Sequence, residues 1–224
     1  MQAGSATYSK KTVIGLSGGT FDPIHFGHLR MAQELADNLH LSAVRFIPAA
    51  QPPHKSTPEV SAKHRAAMVR LGIAGNSLFS CDDRELNREG ASYTIDTLLS
   101  LRDELGADIS LVLLIGSDAF TKFDTWHRWQ EIIQLCHIAL VQRPMVEKQE
   151  PLSKSLQNFL QSHYTENAED LHSKSAGFVT MQTVTALDIS STSIRSNLQK
   201  QHSAKYLLPD SILEYIRTYQ LYTK

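Results

Sequence analysis

The sequence is poor in cysteine, in long apolar runs and in net charge, and each shortage argues against a class of protein. Only two of its 224 residues are cysteines, Cys81 and Cys136, and they form no CxxC pattern, so no disulfide framework is expected. The longest apolar run, residues 111–115, is far shorter than the roughly 20 residues of a membrane-spanning helix. The first eleven residues are polar and lack the apolar region of a signal peptide. These features favour a reducing, cytoplasmic compartment.

The charges of the chain almost cancel. There are 22 Lys+Arg against 23 Asp+Glu, a formal net charge of -1 with histidine neutral. Nucleic-acid-binding proteins depend on a basic surface, so we expect no nucleic-acid partner. The lack of a long apolar run likewise predicts no membrane partner. A small local basic site for phosphates is still compatible with this balance.

Strand and helix patterns alternate along the whole chain. Short apolar runs predict strands at residues 11–17, 43–48, 77–81, 109–116, 137–141 and 177–182. Apolar residues at helical spacing predict helices at residues 27–39, 62–74, 93–105, 126–135 and 152–160, and two more near Ser190 and Pro209. This alternation is typical of an α/β fold, a doubly wound open parallel sheet with helices on both faces and a helical C-terminal part.

The same pattern predicts the domain organisation and the place of a ligand site. We expect a polar N-terminal extension at residues 1–10 and a single domain at residues 11–224, with the oligomeric state left open. Ligands of open parallel sheets bind beyond the carboxyl ends of the strands, where the strand order reverses. The loops after the first, second and fourth predicted strands should therefore converge on one crevice.

The loop after the first strand reads GGTFDPIHFGH, residues 18–28. Glycines after a strand let backbone amides approach an anion, and His25 and His28 stand at the start of a helix, which also favours anions. The loop matches neither the GxGxxG nor the GxxxxGK[ST] pattern. A glycine turn with two incidental histidines is the alternative. A zinc site is disfavoured because no third ligand is evident.

A second polar cluster, ISSTSIR at residues 189–195, also stands at a predicted helix start. Hydroxyls, backbone amides and a guanidinium one turn into the helix suit the binding of one phosphate group. The alternative is a helix cap with more hydroxyls than it needs, followed by a surface arginine. Neither cluster decides the function when it is taken alone.

Together, GGTFDPIHFGH and ISSTSIR resemble the paired signature of the HxGH nucleotidyltransferase superfamily, which has a Rossmann-like nucleotide-binding fold. Three further motifs resemble its bacterial nicotinate-nucleotide adenylyltransferase branch. They are PPHK at residues 52–55, YTIDTL at residues 93–98, and Gly116-Ser117-Asp118 followed by Trp126. The resemblance extends from Val13 to about Arg217, which is nearly the whole chain.

The resemblance implies an enzyme of NAD biosynthesis that transfers the AMP moiety of ATP to nicotinate mononucleotide and releases pyrophosphate. The phosphate of the acceptor would attack the α-phosphorus of ATP directly, without a protein nucleophile. Mg²⁺ would be held mainly by substrate phosphates, so no protein metal ligand is expected. The alternatives are an enzyme that uses nicotinamide mononucleotide, or both pyridine mononucleotides, and a nucleotide-binding relative without catalysis.

The resemblance also implies which residues bind ATP. These are Gly18, Gly19, Thr20, Phe21, His25, His28, Gly116, Asp118, Ser190, Ser191, Thr192 and Arg195. Among them His25, His28 and Arg195 are expected to be catalytic, because their hydrogen bonds to phosphate strengthen as charge develops in the transition state. The alternative for Asp118 is a helix cap.

For nicotinate mononucleotide, the expected residues are Lys55, Thr94, Trp126 and Arg65. Lys55 would bind the phosphate, although a solvated loop lysine is its ordinary alternative. Trp126 would stack on the pyridine ring, with Trp129 as the competing candidate. Arg65 would add positive charge from the helix that follows the PPHK loop.

Overall fold

The computed structural model describes residues 11–51, 58–142 and 151–223. The strands in these ranges are β1 (Val13–Gly19), β2 (Ala43–Pro48), β3 (Phe79–Cys81), β4 (Ser110–Gly116), β5 (His137–Gln142) and β6 (Val179–Thr183). They form one sheet in the order β3-β2-β1-β4-β5-β6, and every neighbouring pair is parallel. The strand order reverses between β1 and β4, so the predicted doubly wound parallel sheet is confirmed.

Helices connect the strands, as the periodicity predicted. They are α1 (Phe26–Asn38), α2 (Ala62–Ile73), α3 (Thr94–Leu105), α4 (Ser117–Phe120), α5 (Trp129–Leu135), α6 (Lys154–His163), α7 (Asp170–Ser173), α8 (Ser191–Gln199) and α9 (Asp210–Thr218), with a 3₁₀ helix at Phe123–Thr125. The sequence missed α4, α7 and the 3₁₀ helix, because three or four residues are too few to show a helical period. Within the described ranges, no helix is both long and apolar enough to cross a membrane.

One predicted helix starts later than expected. The prediction placed its first residue at Trp126, whereas α5 starts at Trp129. Arg128, directly before it, has a left-handed backbone with φ of 51°, and Trp126 itself is extended. Both conformations interrupt a helix, so Trp126 lies on a connecting turn.

The core lies on both faces of the sheet. Successive residues of β4 alternate between two apolar clusters, with Val112 in the one that includes α1, α2 and α9, and Leu113 in the one that includes α3, α5 and α6. Residues 110–115 are all buried, which confirms the prediction of a strand covered on both faces. The rigid sheet thus holds the carboxyl ends of β1, β2 and β4 in fixed relative positions.

Candidate active site

A cavity of about 610 Å³ opens at the carboxyl ends of β1 and β4, where the strand order reverses. Its lining comprises Gly18, Gly19, Thr20, Ile47, Ala49, Glu85, Ser92, Tyr93, Thr94, Leu113, Ile115, Asp118, Ala119, Lys122, Thr125, Trp126 and His127. The loops after β1, β2 and β4 all contribute to it. The predicted convergence of these three loops on one crevice is confirmed.

The two signature histidines lie at the N-terminus of α1. His25 caps the helix and is buried, and its ring centroid lies 3.8 Å from that of His28. The backbone N–H of His25 donates to Nδ1 of His28 at 3.3 Å, so a neutral His28 ring carries its proton on Nε2. A Cβ at Gly27 would lie 3.0 Å from the His25 ring, so glycine leaves room for that ring.

The second signature is attached directly to the first. The hydroxyl of Ser191 donates to the carbonyl of Pro23 at 2.9 Å, and Nη1 of Arg195 donates to the carbonyl of Asp22 at 2.8 Å. Ser190 caps α8 and accepts the N–H of Ser193 at 3.1 Å. The N-termini of α1 and α8 therefore lie side by side, although about 170 residues separate them in the chain.

The predicted phosphate-binding residues at the two helix N-termini lie next to the cavity and are not part of its lining. Phe21 connects the two regions, because it follows Thr20 of the lining and precedes Asp22. Its side chain is buried against His28, with ring centroids 5.2 Å apart, and its backbone has a positive φ of 50°. The buried ring leaves only the backbone of Phe21 for a ligand. Thr192 is exposed on the first turn of α8.

Arg195 has an ion-pair partner in this structure. Its Nε donates to Oε1 of Glu59 at 2.7 Å, and the side chain is only 20% exposed. Glu59 also donates its backbone N–H to Oδ2 of Asp22 at 2.9 Å. The guanidinium of Arg195, which the sequence predicts to bind phosphate, is thus bound to the carboxylate of Glu59 in this structure.

Gly116 and Asp118 lie at the end of β4, as expected. A Cβ at Gly116 would contact Oδ1 of Asp118, so a larger residue here would require the Asp118 side chain to move. Gly116 caps α4 without a side-chain hydrogen bond, and Asp118 stands in the first turn beside the cavity. The helix-cap alternative for Asp118 is therefore not realised.

The two tryptophans have different surroundings. Trp126 lines the cavity together with Thr94, whereas Trp129 packs edge-on against Phe123 and Phe159, with ring centroids 5.8 and 5.5 Å apart. Trp126 is therefore the tryptophan that a pyridine ring in the cavity would meet. Lys55, the expected phosphate ligand, lies outside the described residues and stays a prediction.

Arg65 is the residue whose expected role does not fit the structure. Its side chain is 1% exposed, and its guanidinium donates to the carbonyls of Val60, Thr20 and Ala50. Burial lowers its pKa from the usual value, and the negative charge of Asp22 opposes this shift. A guanidinium held by three carbonyls beneath the surface does not reach a substrate phosphate, so direct binding by Arg65 is corrected to a role within the protein.

Comparison with known proteins decides the family. The cytidylyltransferase-like family matches residues 16–197. A protein of Dechloromonas aromatica named probable nicotinate-nucleotide adenylyltransferase is 48% identical over 213 residues, which cover 93% of this chain and 97% of that protein. A protein of the same name from Pseudomonas fluorescens is 46% identical over 209 residues, which cover 93% of this chain and 96% of that protein. This chain belongs to the nicotinate-nucleotide adenylyltransferase family.

Solved structures of this adenylyltransferase type share the fold. The Plasmodium falciparum nicotinic acid mononucleotide adenylyltransferase complexed with NaAD superposes with a TM-score of 0.71 at 17% identity, over 94% of this chain and 97% of that one. The same Plasmodium enzyme complexed with APC gives a TM-score of 0.69 at 16% identity. These likenesses confirm the Rossmann-like architecture that the resemblance predicted.

Several lining residues of this adenylyltransferase were not assigned from the sequence. Lys122 and His127 flank Trp126, and the ring of His127 lies 4.6 Å from that of Tyr93. Their proximity to Trp126 in the sequence could have suggested them as lining residues. No sequence feature could have suggested Glu85, because only tertiary packing brings it to the cavity. Burial raises its pKa, while a hydrogen bond of 2.7 Å from Thr97 opposes the rise.

Proposed function

We propose that this protein transfers the AMP moiety of ATP to nicotinate mononucleotide, forming nicotinate adenine dinucleotide and pyrophosphate. Curated relatives at 44–48% identity over 93% of the chain carry the name of this activity. The observation that carries the mechanism is the attachment of Ser191 and Arg195 to the loop of residues 22–23. It unites both phosphate signatures beside one cavity at the switch point of the sheet.

The reaction needs alignment and charge rather than a protein nucleophile. A phosphate oxygen of the mononucleotide forms a bond to the α-phosphorus of ATP, and the bond from that phosphorus to the bridging oxygen breaks. Pyrophosphate leaves with the electron pair. The protein must hold two polyanions in line and stabilise the charge on the transferring group. A chain with a net charge near zero does this with hydrogen-bond donors concentrated at the site.

The donors proposed for the triphosphate come from two helix N-termini. Nε2 of His28 carries the proton of a neutral ring and donates to a phosphate oxygen, and His25 acts beside it. The first turn of α8 adds backbone amides and the hydroxyls of Ser190 and Thr192. Arg195 turns from Glu59 to the β- and γ-phosphates and the departing pyrophosphate.

Mg²⁺ enters as part of the nucleotide substrate. Substrate phosphates and water supply most of its ligands, which is the usual habit of Mg²⁺. The ion lowers the repulsion between the two substrates.

The acceptor and the adenosine of ATP share the cavity. Trp126 stacks on the electron-poor pyridine ring of the acceptor, and Thr94 lies beside that ring. Asp118 and Gly116, at the end of β4, face the adenosine of ATP. Lys55 binds the phosphate of the mononucleotide.

We place the enzyme in the cytoplasm, in keeping with the two free cysteines, Cys81 and Cys136.

The test is release of pyrophosphate from ATP and Mg²⁺, with nicotinate mononucleotide and nicotinamide mononucleotide assayed in parallel. We expect turnover with a strong preference for the acid. Comparable rates would keep the reaction and contradict the acceptor specificity. An absence of pyrophosphate with either acceptor would contradict the proposed function.

A further inference from the structure

Three segments from different parts of the chain line the cavity. Residues 18–20 end β1 and start the loop after it, Ala49 follows β2, and residues 92–94 lead into α3. The sheet fixes the first two segments at their strand ends, where Gly19 pairs with Pro48 and the N–H of Ala49 donates to the carbonyl of Gly19 at 2.9 Å. Thr20, Ala50 and residues 92–94 lie beyond the paired strands, and side-chain hydrogen bonds connect them.

Arg65 joins the first two segments from below the surface. Its Nη1 donates to the carbonyl of Thr20 at 2.6 Å, and its Nη2 donates to the carbonyl of Ala50 at 3.2 Å. Its Nε donates to the carbonyl of Val60, at the start of the helix that carries it. The rigid planar fork of a guanidinium fixes the distance between the carbonyls that it bridges.

Ser92 joins the second segment to the third. Its Oγ accepts the backbone N–H groups of Ala50 and Gln51 at 3.0 and 3.2 Å, and its own N–H donates to the carbonyl of Gln51 at 3.0 Å. The hydroxyl also bonds to the buried carboxyl of Glu85, another lining residue. Both backbone polar groups of Ala50 are thus held, one by Arg65 and one by Ser92.

We propose that Arg65 and Ser92 are positioning residues that form a clamp at the base and wall of the cavity, holding the loops that begin at Thr20, Ala50 and Ser92 at the spacing needed for in-line transfer. The proposal rests on the function given above. Arg65 is buried outside the lining, and the Oγ of Ser92, which does line the cavity, is engaged by the backbone of Ala50 and Gln51. The clamp keeps residues 18–20 of the phosphate side at a set distance from residues 92–94 of the acceptor side.

A loosened clamp should affect catalysis more than binding. Each substrate alone can still find most of its contacts on one side of the cavity. Transfer needs both substrates in line at once, and a misplacement of about 1 Å can cost on the order of a hundredfold in rate. We therefore expect kcat of Arg65→Lys to fall by about tenfold or more, because lysine cannot bridge two carbonyls as a fork.

The chain offers a matched control in Arg102. Its guanidinium also donates only to backbone carbonyls, those of Leu135, Gly106, Ile109 and Ser175. None of these residues lines the cavity. Arg102→Lys should lower the melting temperature as Arg65→Lys does and leave kcat unchanged. Ser92→Ala is a second, milder test, and Ser92→Thr restores the hydroxyl.

The experiment measures three quantities for each variant of the full-length protein. They are kcat by pyrophosphate release, the Kd of ATP and of nicotinate mononucleotide separately by calorimetry, and the melting temperature. We expect Arg65→Lys and Ser92→Ala to lose kcat while each Kd changes by less than about threefold, and Ser92→Thr to recover kcat. If both variants keep kcat within about twofold of the parent, or if Arg102→Lys loses it equally, the clamp is overturned. An inactive parent contradicts the proposed function itself, and the clamp falls with it.

Discussion

The hydroxyl of Tyr222 donates to Oδ1 of Asp22 at 2.6 Å, and both residues are buried. This bond ties the end of the chain to the loop between the glycine turn and the first signature histidine. Burial and the neighbouring carboxylate raise the pKa of Tyr222, so the phenol stays protonated and keeps donating. Because Asp22 also accepts from Glu59 and Arg195, it is the junction through which the C-terminal segment supports the phosphate site.

Tyr222→Phe should lower the free energy of unfolding by about 2 kcal/mol, because a hydrogen bond to a charged group is lost and a buried carboxylate loses a donor. Urea denaturation measures this change. Tyr206→Phe is the control, since Tyr206 is 81% exposed and its loss should cost about 0.5 kcal/mol or less. Equal effects of the two substitutions would contradict a special role for the Asp22 bond.

Glu59→Gln should tighten the binding of ATP. The substitution removes the carboxylate that holds Arg195 and leaves that guanidinium available to the triphosphate. A partly exposed ion pair is worth about 1 kcal/mol or less, so we expect KM for ATP to fall by up to about fivefold. KM for nicotinate mononucleotide should not change. A rise in KM for ATP would show instead that Glu59 assists the nucleotide.

His28→Ala should reduce kcat by about a hundredfold or more, because a preorganised donor to the transferring phosphate is removed. The structure supports this choice through the bond from the His25 N–H to Nδ1 of His28, which leaves the proton on Nε2. Single-turnover kinetics measure the effect on the chemical step. His202→Ala, at an exposed position, is the control. Turnover within a few-fold of the parent would remove His28 from the mechanism.

The strands of the sheet could be predicted from the sequence, whereas the hydrogen bonds within the site could not. Strands such as β4 and β5 are short, apolar and bounded by polar residues, so their periodicity predicts them. The site depends on hydrogen bonds between residues far apart in the chain, such as those of Arg65 with Thr20 and Ala50. Local patterns carry no information about such partners. The sequence therefore suggests Arg65 as a ligand of nicotinate mononucleotide, although its side chain is one of the most buried.

Trp126 and Trp129 illustrate the same limit within a single turn. Both are aromatic residues on a segment with helical spacing, and the sequence could only favour one of them. The left-handed backbone of Arg128 ends the turn that carries Trp126 before α5 begins at Trp129. The two tryptophan side chains therefore do not follow one helical period. No composition signal marks that residue.

Trp126→Ala should raise KM for nicotinate mononucleotide by about tenfold, because one stacking contact with an aromatic ring contributes on the order of 1 kcal/mol beyond the buried area. KM for ATP should stay within about twofold. Trp129→Phe, which keeps an aromatic ring between Phe123 and Phe159, should leave both constants unchanged. Normal binding of the mononucleotide by Trp126→Ala would move the stacking role elsewhere.

His137 should make the stability of the protein depend on pH. It is fully buried at the start of β5, where its Nε2 donates to the carbonyl of Lys174 at 3.1 Å and its Nδ1 accepts the N–H of Phe178 at 3.0 Å. Burial lowers its pKa from 6.5 to about 4. Protonation of Nδ1 would also break the bond from Phe178.

The sign follows from the protons bound in each state. Between pH 6.5 and pH 4 the unfolded chain binds a proton at this histidine and the folded protein does not, so stability falls as the pH is lowered through that window. The loss should reach about 3 kcal/mol near pH 4. In His137→Gln, whose amide can donate to Lys174 and accept from Phe178, this part of the pH dependence should disappear, whereas the exposed His202→Gln should keep it. Denaturation curves from pH 7 to pH 4 measure both slopes, and identical slopes for His137→Gln and the parent would contradict the assignment.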